Sequence, residues 1–161
     1  MKVGRAIMFG IVGAAAMSLL SAILRMIGIP IYMEMILGSL TGIVPGPTAF
    51  LVGLLIHLAI GAIFGVIYCA LFENVWDHGG AGTGMILSVI HAALLGMIFG
   101  LTPQFHPYIP RLIHDPGPYF ANGGPLTVIA FFGIHLVYGA IVGAGYGHVV
   151  AEHQWAPEGR L

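Results

Sequence analysis

Three histidines fall inside apolar stretches of this chain: His57, His91 and His135. An ionisable side chain at membrane depth costs roughly 3 kcal/mol unless it is neutral and paired, so each is a candidate for function by default. The chemistry open to them is that of imidazole. Two rings facing each other could ligate a haem iron axially, three could hold copper or zinc, and a series of them could relay protons. The competing reading has each ring neutral and hydrogen-bonded to a carbonyl, to Tyr138 or to a nearby serine, as glue between helices. His106 and His114, with Asp115, form a weaker candidate for a divalent metal, in a Pro-rich stretch that better suits a capped surface lid.

Two of these histidines open near-identical segments. His135-Leu-Val-Tyr-Gly139-Ala-Ile-Val-Gly143-Ala-Gly-Tyr146 repeats His57-Leu-Ala-Ile-Gly61-Ala-Ile-Phe-Gly65-Val-Ile-Tyr68 with seven of twelve positions identical. On a helix the histidine, both glycines and the tyrosine share an arc of roughly 80°. Gly61, Gly65, Gly139, Gly143 and Gly147, like Gly10 and Gly13 in the first span, have the spacing of small residues that let helix backbones approach closely. Close approach conflicts with haem, whose macrocycle needs its two axial ligands held well apart. Packing therefore explains the glycines better than ligand contact. Tyr68 and Tyr146 are placed at a membrane interface, as an aromatic belt.

The elements that would position these residues are membrane spans. The chain has 161 residues, 58% hydrophobic and 7% charged, with mean hydropathy +0.99, where soluble domains carry about 25% charged residues. A net charge of −1 and the lack of any Lys/Arg cluster exclude a nucleic-acid partner. The single cysteine, Cys69, rules out an intramolecular disulfide and a Cys-x-x-Cys site. Four spans are expected, over about 6–28, 48–72, 83–101 and 126–149, the first retained rather than cleaved as a signal peptide. Between Pro30 and Pro47 the run Tyr-Met-Glu-Met-Ile-Leu-Gly-Ser-Leu is too short to cross and too apolar for water, so it reads as an interfacial half-helix. Arg25, at the end of the first span, is given Glu34 as its partner. The segment from Thr102 to Pro125 is expected outside the hydrocarbon. Lys2, Arg5 and Arg160 on one side against Arg25 and Arg111 on the other point to cytoplasmic termini. Measured from the span midpoints, His57 and His135 lie about 4 Å toward the connector side and His91 about 2 Å the other way, in one layer.

The offset of 78 that relates His57 to His135 also lays Ile11-Val-Gly-Ala-Ala on Val89-Ile-His-Ala-Ala. The expected architecture is thus an all-α membrane protein, a single domain over 1–161, in which two helical hairpins (about 4–76 and 82–154) form a parallel repeat. In it the counterpart of His91 is Gly13, which leaves space opposite the imidazole.

Gly10-x-x-Gly-Ala-Ala-Ala-Met17, Met33-Glu-Met-Ile-Leu-Gly-Ser-Leu40 and the two His-Leu-x-x-Gly spans resemble an uncharacterised family of small four-span bacterial inner-membrane proteins. The resemblance implies a four-helix bundle in that membrane and assigns no activity to any residue. No Ser/His/Asp order, paired intramembrane carboxylates or phosphate loop supports an enzyme. The functional expectation is a non-catalytic accessory subunit of a larger, bioenergetic membrane complex, associating with other subunits or with itself. The alternatives are an electron-transfer protein holding haem, copper or zinc on the span histidines, and a small transporter or channel.

Overall fold

The computed structural model describes residues 1–154, so Arg160 of the charge count lies outside the described residues. The chain forms α1 (Val3–Met26), α2 (Met33–Ser39), α3 (Pro47–Asn74), α4 (Ala81–Phe105), a 3-10 segment over Pro118–Gly123, and α5 (Pro125–Gln154). Among the described residues there is no β-strand, and α1, α3, α4 and α5 are long and apolar enough to cross a membrane. The protein is an integral membrane helix bundle. Its outer surface, with Leu55, Ile63, Ile86 and Leu94 exposed, is what a bilayer covers.

α1 and α4 begin 78 residues apart, and so do α3 and α5. The prolines that correspond by this offset are Pro47 and Pro125, each following a glycine and each opening a helix where the missing N–H costs nothing. α1 packs on α3, and α4 on α5, along glycines. A Cβ on Gly10 would run into the Gly61 carbonyl, and one on Gly65 would lie 2.5 Å from the Ala6 carbonyl oxygen. In the second pair a Cβ on Gly84 would strike the Gly139 carbonyl, and one on Gly147 would sit 2.8 Å from Gly80 N. The registers differ. Gly65 faces Ala6 and Gly10, whereas Gly143 faces Gly80 and Gly84, the counterparts of Lys2 and Ala6. The second pair is slid by one helical turn, about 6 Å.

α1 also packs on α5. Here the space over Gly13 is not left open: the Tyr138 ring occupies it, with Cδ2 at 2.7 Å from a would-be Cβ. The Phe9 ring fills the same kind of notch over Gly145. Tyr138 then donates its hydroxyl to the Gly61 carbonyl at 2.7 Å and so joins α5 to α3.

The two connectors cap the same end of the bundle. α2 lies backbone to backbone on α3, because Gly38 faces Ala49 and Gly53 faces Glu34 with no Cβ between them. Glu34 is fully buried and pairs with Arg25 at 3.2 Å, as anticipated, while Arg25 also donates to the Ile31 carbonyl at 2.7 Å. α4 runs past the expected boundary, through Pro103 to Phe105. Pro103 has no N–H to offer the Phe99 carbonyl, and the Thr102 hydroxyl takes that acceptor at 2.6 Å. The second connector does not stay outside the bundle. Tyr119 and Phe120, at φ +57° and +61°, turn it inward, and Tyr119 fills the notch over Gly96, nine residues before the end of α4. Irregular backbone is tolerated at that depth because protein rather than lipid surrounds it.

Candidate functional site

α3 and α4 are the neighbours whose backbones hardly approach each other; side chains bridge them. The Phe64 ring stacks on His91 with centroids 3.7 Å apart, and Tyr68 Oη lies 3.2 Å from His91 Nδ1. Beside these rings is a cavity of about 180 Å³. α2 contributes Ile36 and Leu37 to it, α3 contributes Ile60, and α4 contributes Leu95 and Phe99. His57, His91, His106 and His135 all line it, and among the described residues no acidic or cationic side chain does.

Each histidine is held differently. His57 Nδ1 is 2.9 Å from Ser18 Oγ of α1. On α4, the counterpart of Ser18 and the residue one turn before it are Gly96 and Ala92, neither with a polar side chain. His135 Nδ1 instead donates to the Phe131 carbonyl at 2.7 Å, one turn back on its own helix. His91 relies on Tyr68, and its Nε2, fully enclosed, has no hydrogen-bond partner. The rings of His91 and His135 meet edge to face at 5.3 Å. His106 Nε2 contacts the Ile36 carbonyl at 3.0 Å and Ser39 Oγ at 3.4 Å, fastening the end of α4 to α2.

Among the described residues no three His, Cys, Asp or Glu side chains gather closely enough to hold a metal ion. His57, His91 and His135 share a cavity without converging on one point. His106 and His114 are separated, since His114 lines a second cavity of about 360 Å³ between the connectors. Asp115 is occupied by backbone, its Oδ1 accepting from Gly117 N at 2.9 Å. Of the glycines singled out in the sequence, all seven sit at contacts where a Cβ would meet a neighbour.

Tyr68 and Tyr146 are not belt residues. Both are buried: Tyr68 holds His91, and Tyr146 donates to Glu73 Oε1 at 2.6 Å while accepting from Lys2 N at 2.8 Å. The signal was present, since each tyrosine shares the arc of its histidine and glycines, the arc that packs inward. Ser18 is the nearby serine expected to hold a histidine; Phe64 was missed because nothing in its local sequence distinguishes it from a lipid-facing position.

Compared with known proteins, the chain matches no family model, and no curated protein or solved structure is significantly similar to it.

Proposed function

We propose that this is a non-catalytic membrane protein that binds a small lipophilic molecule between its helices. One observation carries the reading: a cavity at membrane depth has almost entirely apolar walls and yet is lined by a histidine whose Nε2 lacks a partner. A buried donor or acceptor left unmet costs about 1–3 kcal/mol, which a ligand with a matching polar atom recovers. The space is close to the roughly 150 Å³ that encloses a benzene ring, and is small for a four-pyrrole macrocycle. Its volume favours a single organic ring over haem, and with no three metal-binding side chains gathered among the described residues such a ring also suits the site better than copper or zinc.

The test is what the protein carries out of the membrane. Purified in lipid nanodiscs and released for native mass spectrometry, it is expected to retain one neutral lipophile per chain. Leu95→Trp, which fills the cavity, is expected to lose that molecule without loss of the folded bundle. A protein that retains nothing, or retains the same molecule after Leu95→Trp, overturns the proposal.

A role as an accessory subunit of a bioenergetic complex in a bacterial inner membrane is compatible with this one, and the 7% charged content supports it. The glycine seams do not, because they are used within the chain. Isolation from native membranes in a larger particle would support that role, and isolation only as a free monomer would dismiss it.

A further inference from the structure

We infer that the lipophile is a quinol or quinone ring held by its oxygen between His91 and His135, an assignment that rests on the ligand-binding reading above. His91 is 7% exposed, and among the described residues Tyr68 is its only side-chain hydrogen-bond partner, as His91 is for Tyr68. If His91 Nδ1 donated to Tyr68, both the phenolic proton and Nε2 would be stranded. With Tyr68 donating, one group alone is left over, the Nε2–H of the neutral imidazole. That arrangement leaves fewer unmet groups, and it makes His91 a donor in search of an acceptor.

His135 is the opposite tautomer. Its Nδ1 faces the Phe131 carbonyl, which only accepts, so Nδ1 carries the proton and Nε2 presents a lone pair. A donor and an acceptor thus stand on rings 5.3 Å apart, both of which line the cavity; His91 Nε2 itself is closed off, so the ligand meets it only as the imidazole shifts to expose it. A hydroxyl answers both at once, and a carbonyl oxygen answers His91 alone. Among the described residues no charged side chain lines the cavity, which suits a neutral ligand, and the volume is that of one ring. A neutral, lipid-soluble ring that carries either oxygen is a quinol or its quinone. The ring enters from the bilayer where the α3 and α4 backbones stand apart, and its alkyl or prenyl tail stays in the lipid.

The experiment titrates the protein in nanodiscs, against empty nanodiscs, with 2-decyl-1,4-benzoquinone, its quinol kept under nitrogen, and decylbenzene. The quinol is expected to bind most tightly, the quinone next and decylbenzene least. His91→Phe keeps a ring stacked on Phe64 and removes Nε2–H. It is expected to weaken both oxygenated ligands roughly tenfold and to leave decylbenzene unchanged. Should that variant fail to fold, Tyr68→Phe frees the His91 proton to move to Nδ1 and is expected to weaken the quinone several-fold. Equal binding of all three ligands, insensitive to either substitution, overturns the quinol assignment and leaves the lipophile reading standing. Binding of none overturns both.

Discussion

Between α1 and α5, Tyr138 lies over Gly13 and Phe9 over Gly145; at the positions 78 residues away, on α4 and α3, the residues are His91 with Ile60 and Leu87 with Ile67. The first seam sets a large ring against a missing side chain twice, so the helices close on each other. The second sets bulk against bulk, so the backbones stay apart and space remains beside Ile60 and His91. Close packing tolerates neither overlap nor gaps, and a helix pair lacking complementary large and small residues settles at a wider spacing. The cavity is therefore a consequence of which half carries the glycines.

Three experiments act on this contrast. The largest effect is expected from Gly13→Leu, which drives a side chain into the Tyr138 ring and forces the closed seam open. A loss of about 3 kcal/mol of bundle stability is expected in a detergent unfolding titration. Little loss would mean that Tyr138 does not depend on the notch.

The second transplants the closed seam onto the open one. Ile60→Tyr with His91→Gly recreates the ring-over-glycine pair between α3 and α4. A double-mutant cycle is expected to show about 1–2 kcal/mol of favourable coupling. Spin labels at the exposed positions Ile63 and Leu94 should move closer together. Zero coupling with an unchanged distance would show that something other than this pair sets the spacing.

The smallest concerns the one-turn difference in register between the two helix pairs. Ser18→Ala removes the only cross-helix side-chain hydrogen bond that His57 makes among the described residues, and about 1 kcal/mol should be lost on thermal or denaturant unfolding. No residue at the corresponding place on α4 offers His135 such a bond, so Gly96→Ala is expected to act differently, by striking the Tyr119 ring. If Ser18→Ala and Gly96→Ala both proved silent, the two halves would not differ in the way described.

Much of the scaffold was legible because it follows from local chemistry. Long apolar runs must be helical where no water can satisfy the backbone, and Arg25 with Glu34 had no cheaper arrangement than each other. The small residues at helical spacing pointed to close contacts, and all of them make one. The inward turn of Tyr119 was not legible, since it depends on the notch left by Gly96 on another element. Nor was the burial of Tyr68 and Tyr146, because an interfacial and an interior tyrosine look alike until the neighbours are known.

The sequence by itself determined a four-span helical bundle with glycine seams and histidines in its apolar layer, because hydropathy and residue size are properties of the chain alone. Only the tertiary structure decided which seam closes, which histidine is left with an unmet nitrogen, and that four histidines border one apolar cavity. Those outcomes depend on the one-turn difference in register between the two helix pairs and on which side chain faces which glycine, and such pairings exist only once the helices have packed.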